Sequence, residues 1–291
     1  MNMSNKYFLP KFLALIAALA LVVGCSSSSE TEDAAAPAPT DTCSAESLET
    51  LTPGVLTIAT GEPAYYPWVL DDKPESGEGF EPAVAYAVAA ELGFAADAVT
   101  WVRTTFDGAI APGAKTFDFN LQQFSITEDR KKAVDFSSSY YDSVQTVISY
   151  AGSKIENATS LADLKSAVIG AAVGTTSLDA AESQIAPTKK VQVFNDNAAA
   201  VTALKNKQID GIVVDLPTAF YLTGVEIEGG KIIGQLASNG TVSDQFGLLL
   251  AKGSPLTKCV TQAVDTLRSN GSLAAIEDQW LTQFGNAPVL N

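Results

Sequence analysis

Residues 117–136 read Phe-Asp-Phe-Asn-Leu-Gln-Gln-Phe-Ser-Ile-Thr-Glu-Asp-Arg-Lys-Lys-Ala-Val-Asp-Phe. Phe117, Phe119 and Leu121 alternate with polar residues, the period of a half-buried strand. Ser125 and Thr127 then offer helix N-caps, and Glu128 and Asp129 are acids suited to a first turn. Arg130 breaks that pattern, because a cation this close to a helix start opposes the macrodipole. Two roles fit it. In one it pairs with a neighbouring acid or points into water. In the other its planar fork holds a carboxylate in two parallel bonds, helped by Ser125 and backbone N–H groups.

The flanking sequence alternates strand and helix. Leu56 to Ala59 reads as a strand and Gly61 to Trp68 as a loop carrying Glu62, Tyr65, Tyr66 and Trp68. Gly79-Phe80-Glu81 leads into a helix that Gly93 follows. Val99 to Arg103 is a strand, and Phe106-Asp107-Gly108 opens a short helix. Beyond residue 144 a second unit of the same plan begins. Ala167 to Val173 is a strand. Gly174-Thr175-Thr176 turns into a helix in which Thr176 and Asp179 are spaced as a capping box. Val191 to Phe194 is a strand, Asp196 or Asn197 caps the next helix, and Gly211 to Val214 is a strand that ends on Asp215. Gln245 to Ala251 is another strand, and the remainder reads as helix to about Phe284. Such alternation predicts an α/β fold with parallel sheets covered by helices.

Composition excludes several functions. The 291 residues are 46% hydrophobic, enough for a sizeable core and for two domains. With 18 basic against 33 acidic residues, no basic stripe exists for nucleic acid. There is no histidine, which removes the usual general base and metal ligand, so no metal, cofactor or catalytic residue is expected.

The core stretch, from Ser125-Ile126-Thr127-Glu128-Asp129-Arg130 to Asp135-Phe136 and on to Tyr140-Tyr141, resembles the central motif of the family 3 extracellular solute-binding proteins. The likeness spans roughly Pro53 to Phe284. It implies two Rossmann-like lobes joined by two crossing segments, the periplasmic binding protein type II fold. The first lobe is then 48–144 with 245–291, and the second 145–244. It also implies a receptor for an amino acid that works with an ABC permease, as a monomer and not as an enzyme. By that resemblance Arg130 grips the ligand's α-carboxylate with Ser125. Gly174, Thr175 and Thr176 hold the same group from the second lobe, and Asp215 accepts from the α-ammonium. Read without the family, Gly174-Thr175-Thr176 is equally a capped helix start, and Asp215 a helix N-cap ahead of Pro217.

Selectivity rests on softer matches. Tyr65 and Phe106 stand where rings flank the ligand in relatives, and Trp68 is core or cleft wall. Glu62 matches an often acidic position and favours a polar or basic amino acid; the alternative is a solvated loop acid. Gln122 and Gln123 replace the small polar residues usual in the family, which makes Gln123 a candidate to reach the ligand. Two other uses of such a fold stay open: an enzyme like cyclohexadienyl dehydratase, and a sensory amino-acid-binding module.

The N-terminal 24 residues read as a secretory signal, with Lys6 and Lys11 before the apolar run Phe12 to Val23. Val22-Val23-Gly24-Cys25 resembles the lipobox of bacterial lipoproteins. That implies lipid on Cys25, an extracytoplasmic position and a membrane anchor; the alternative is an ordinary signal with an incidental Cys25. Residues 25–47, rich in Ser, Glu, Ala, Pro and Thr, read as a disordered tether. In an exported, oxidising setting the remaining cysteines, Cys43 and Cys259, are expected to pair; the alternative is two free thiols.

Overall fold

The computed structural model describes residues 43–236, 244–281 and 287–291. The expected signal, Cys25 and the tether up to Thr42 lie outside the described residues. The first sheet contains β1 (Leu56–Gly61), β2 (Val99–Thr104), β3 (Phe119–Asn120), β4 (Val134–Ser143) and, from much later in sequence, Asp244–Ala251. Its helices are α1 (Phe80–Glu91) and α2 (Phe106–Ile110). The second unit runs β5 (Gln145–Tyr150), α3 (Leu161–Leu164), β6 (Ile169–Ala172), α4 (Thr176–Ala180), β7 (Gln192–Phe194), α5 (Asn197–Lys205), β8 (Gly211–Asp215), α6 (Leu216–Tyr221) and β9 (Gly230–Leu236). The chain then returns to the first lobe as β10 (Asp244–Ala251), α7 (Thr257–Ser269) and α8 (Ser272–Trp280), and β11 (Val289–Leu290) follows.

The first sheet has the order β2-β1-β3-β10-β4, with β1 parallel to β2 and β3, and β10 antiparallel to β3 and β4. One face is covered by α1, α7 and α8. Val84 and Val88 of α1 and its C-cap Leu92 are buried at four-residue intervals, and Val260, Val264 and Leu267 of α7 meet them in one core with Leu56, Ile58 and Leu248. The other face buries Phe117, Phe124, Val134 and Leu249. The second sheet has the order β11-β9-β5-β8-β6-β7. Its central strand β8 is buried on both sides: Val213 joins one core with Val147 and Ile169, and Ile212 and Val214 join the opposite one with Ile148 and Leu204. A strand covered on both faces needs the continuous apolar run that residues 211–214 supply.

The chain crosses between lobes at Val144 and again between Leu236 and Asp244. Both sheets therefore aim the carboxyl ends of β1, β6 and β8 at one crevice, where ligands sit in open α/β sheets.

Three local expectations differ. No α-helix follows Thr127; Arg130–Lys132 is one 3-10 turn, with Thr127 Oγ1 accepting from Arg130 N at 3.2 Å. β4 begins at Val134 and leaves no room for a longer helix. The tether expected to reach residue 47 ends sooner, because Cys43, Ala45 and Leu48 pack on the first core. β11, assigned by sequence to the first lobe, instead pairs in parallel with β9 at the edge of the second sheet.

Cys43 and Cys259 form a disulfide with Cα atoms 5.3 Å apart, across a sequence separation of 216. It fastens the start of the folded chain to α7. Closing so long a loop in the unfolded chain contributes about 5 kcal/mol on the chain-entropy model. A Cys43→Ser, Cys259→Ser double variant should unfold at a lower urea midpoint, having lost roughly that much unfolding free energy. Equal midpoints with and without the bond would contradict this account.

Candidate functional site

A cavity of about 650 Å³ lies in the crevice and takes its walls from both lobes. Glu62, Tyr65, Phe106, Gln123, Ser125 and Arg130 line it from the first lobe; Thr175, Thr176 and Asp215 line it from the second. Of the residues singled out from sequence for the ligand, only Gly174 is not in the wall, and its carbonyl bonds to Arg130.

Arg130 is 9% exposed, and its guanidinium spans the two lobes. Nη1 donates to the Ser125 carbonyl at 2.8 Å and Nη2 to the Gly174 carbonyl at 2.8 Å. The guanidinium carbon lies 5.2 Å from the centre of the Phe106 ring, which stacks on Phe124 at 4.8 Å. Burial pulls the Arg130 pKa down; Asp244, Asp179 and Asp107 push it back up. Two of the five guanidinium N–H groups serve the two carbonyls, so the fork keeps donors for a carboxylate.

The threonines divide their work. Thr175, rather than Thr176, is the N-cap of α4: its Oγ1 accepts from Leu178 N at 3.1 Å and donates to the Ala172 carbonyl at 2.8 Å. Its side chain is thereby committed to local structure. Thr176 Oγ1 lies 3.0 Å from Asp244 Oδ2, 3.1 Å from Ser125 Oγ and 3.3 Å from Gln145 Nε2. A carboxylate only accepts, so Thr176 donates to Asp244 and accepts from Ser125 and Gln145. Gln145 Nε2 also donates to Asp244. A polar chain thus runs from the crossing strands, where Gln145 and Asp244 sit, to the meeting point of the lobes.

Asp215 both caps and lines. Its Oδ1 accepts from Thr218 N at 3.0 Å and its Oδ2 from Thr218 Oγ1 at 2.9 Å, which makes it the N-cap of α6. Thr218 Oγ1 in turn accepts from Trp68 Nε1 at 2.9 Å, so a core tryptophan of the first lobe touches the cap of the second. Burial raises the Asp215 carboxyl to about 6, against the pull of its bonds to Thr218; Asp244 adds a smaller push. A cation placed beside it would reverse that cost.

At the outer end of the cavity, Tyr65 faces Tyr221 with ring centres 6.4 Å apart. Tyr221 donates to Glu226 at 3.0 Å, and Lys205 pairs with the same carboxylate at 3.2 Å. Burial raises the Tyr65 pKa, and Asp196, Glu226 and Asp72 add to it. Glu62 lines the cavity as an exposed loop acid. The charged wall is therefore Glu62, Asp107, Asp196, Asp215 and Glu226 against Arg130 and Lys205.

Sequence reading missed Gln145, Asp244, Glu226 and Glu81. The first two lie 99 residues apart and meet because β10 starts beside the end of β4, with Asp244 opposite Ser143. Gln123 is also not as expected: its side chain turns to Glu81, with Nε2 2.6 Å from Oε2, although the residue borders the cavity. Among the described residues no cluster of three or more His, Cys, Asp or Glu is placed to hold a metal ion. No described helix is long and apolar enough to cross a membrane.

Two α/β lobes that share one charged crevice define a binding protein for a small solute. Residues 56–283 match the bacterial extracellular solute-binding proteins, family 3, and the chain belongs to that family. An L-arginine-binding protein of Pseudomonas aeruginosa is 28% identical over 228 residues, covering 76% of this chain and 86% of that one. Among solved structures, an ancestral arginine-binding protein bound to glutamine superposes with a TM-score of 0.65 at 29% identity, over 79% of this chain and 99% of that one. An ancestral amino acid-binding protein described as a precursor of cyclohexadienyl dehydratase gives 0.63 at 30% identity, over 79% and 96%.

The raised Asp215 carboxyl has a consequence for stability. The unfolded chain ionises this group near 3.8 and the ligand-free fold near 6. The penalty is absent below the lower value and complete above the upper one. It amounts to at most about 3 kcal/mol, reduced by solvent in the cleft. Asp215→Asn should therefore raise the urea midpoint of the ligand-free protein at about pH 8 and leave it nearly unchanged at about pH 4. The same gain at both pH values would point to packing rather than charge.

Proposed function

We propose that the protein captures an amino acid, with cationic or polar side chains favoured, and delivers it to an ABC permease. The observation that carries this reading is the placement of Arg130 and Asp215 in opposite lobes on the wall of one cavity. A free amino acid is a carboxylate and an ammonium held a few ångströms apart, and this crevice offers a buried guanidinium for one and an enclosed carboxylate for the other. Ser125 and Thr176 complete the carboxylate end. The excess of acids on the remaining wall favours a cationic side chain, with Glu62, Asp196 and Glu226 as its counter-charges. The names of the arginine-binding relatives point the same way.

Charged hydrogen bonds of this kind contribute about 1.5–3 kcal/mol each. A few of them, less the cost of association, give micromolar binding, near −8 kcal/mol. Closure of the lobes over the ligand presents one combined surface to a permease. Lipid on Cys25 would hold the receptor at the outer face of the membrane, where the receptor acts as a monomer.

Likeness to the dehydratase precursor gives an enzyme reading a specific basis. Such a reaction needs a proton donor within reach of the substrate. Asp215 is the one cleft acid with a carboxyl raised to about 6, and both its oxygens already accept from Thr218. We therefore infer binding rather than catalysis; arogenate or prephenate turnover would reverse that inference.

Calorimetry with a panel of amino acids tests the proposal. Arginine, lysine, histidine or glutamine should bind at micromolar levels, and Arg130→Ala should weaken binding by roughly a hundredfold or more. Undiminished binding by that variant would remove the carboxylate grip. Affinity in the wild type should also fall as pH drops through about 6, where Asp215 takes up its proton.

A further inference from the structure

Glu81 is the most buried carboxylate near the cleft that the binding reading leaves unused. It is 1% exposed, in the first turn of α1, and it does not line the cavity. Its Oε1 accepts from Gln123 N at 2.8 Å and from the Tyr140 hydroxyl at 2.5 Å; its Oε2 accepts from Gln123 Nε2 at 2.6 Å. One residue, Gln123, thus wraps both its main-chain and its side-chain donor around a single carboxylate.

Gln123 needs such a hold. Its φ is 52°, in the left-handed region that a residue with a Cβ enters at a cost of roughly 1–2 kcal/mol. On either side of it the backbone is pinned to the sheet: Leu121 N donates to Ala59, and the Phe124 carbonyl accepts from Gly247 N. Ser125, two residues on, makes the contact to Thr176, and its carbonyl takes Arg130. The turn between these anchors borders the cavity through Gln122 and Gln123. Its shape is set from behind, by a side chain on another element.

We propose that Glu81 is a positioning residue of the binding site: its carboxylate locks Gln123 in the left-handed turn that shapes the first lobe's wall and aligns Ser125 and Arg130 for the ligand. None of its three donors is a cation. The titratable groups facing it are Tyr140 from β4 and, across the cleft, Asp215 from β8. Burial lifts the Glu81 carboxyl to about 7, with the Tyr140 and Gln123 bonds opposing and Asp215 adding to the rise. When the carboxyl takes up a proton, one oxygen ceases to be a pure acceptor and one of the bonds to Gln123 or Tyr140 is lost. The wall is therefore best formed above neutral pH.

The inference rests on the amino-acid reading only for its binding arm. The test uses the full chain, wild type and Glu81→Gln, with L-arginine as the probe. Hydrogen exchange at about pH 8 should be roughly tenfold faster across residues 121–125 in the variant and unchanged in α7. Arginine should bind about tenfold more weakly, a difference of about 1.4 kcal/mol. The wild-type affinity should carry an inflection near pH 7 that the variant lacks. Unchanged exchange in 121–125 overturns the proposal whatever the ligand, and so does faster exchange with arginine affinity and pH profile intact. Should the wild type bind no amino acid, the ligand reading fails while the exchange arm still decides the anchor. Should Glu81→Gln also loosen α7, Tyr140→Phe takes its place. Loss of one donor raises the carboxyl further, so the inflection should move to higher pH; the exchange profile of 121–125 below that inflection should resemble that of Glu81→Gln. A Tyr140→Phe protein identical to wild type in both readouts overturns the proposal.

Discussion

The arrangement of the whole molecule turns on how Arg130 is solvated. A guanidinium that is 9% exposed has given up most of its water, and an ion in that position costs several kcal/mol unless other dipoles replace the solvent. Here the replacement comes from both halves of the protein: the Ser125 carbonyl in one lobe and the Gly174 carbonyl in the other, with the Phe106 ring against its face. Neither lobe alone surrounds the charge. Asp244, Asp179 and Asp107 favour the charged form of Arg130 further. The charge thus sits where the two lobes meet, in the wall of the crevice.

The site is also held against its own electrostatic interest. Asp215 and Glu81 are enclosed carboxylates whose donors are a threonine, a tyrosine and a glutamine, and burial raises both above the usual carboxylate range. Asp244, at the second crossing, places a third carboxylate near Arg130 and spreads its influence through Thr176 and Gln145. Of these, Asp215 faces the crevice, and an enclosed carboxylate without a cation in such a place is a recurrent compromise between stability and function.

Much of this was legible in the sequence, for local reasons. The alternation of Phe117, Phe119 and Leu121 and the apolar run ahead of Asp215 are strand patterns that burial enforces on one face or on both. Polar residues at the ends of such runs fall at the crevice, which is why Ser125, Thr176 and Asp215 share a cavity. Local signals misled where tertiary structure overrode them. Ser125 and Thr127 have the chemistry of helix caps, but β4 starts too soon for a helix. Thr175, not Thr176, is the cap, because its backbone is still extended and its hydroxyl accepts from Leu178 N. Glu81 and Gln123 are 42 residues apart, Thr176 and Asp244 are 68, and no periodicity within either segment announces such a pair. Pattern alone left Arg130 and Asp215 each with a structural alternative, and only the resemblance to a known family suggested ligand roles for them.

The interleaving of the two sheets bears on how the protein reaches its native state. β3 and β4 are not neighbours; the slot between them is filled by β10, whose Leu249 pairs with Asn120 of β3. The outer side of β9 pairs with β11, through Val289 and Leu290, and the Asn291 carbonyl accepts from Leu161 N beside it. Neither half is finished when its own stretch of sequence has emerged. During synthesis the first half must wait, incomplete, for residues made after the second, and the second for residues made later still. Neither sheet can reach its full complement of strands until the residues of β10 and β11 are available.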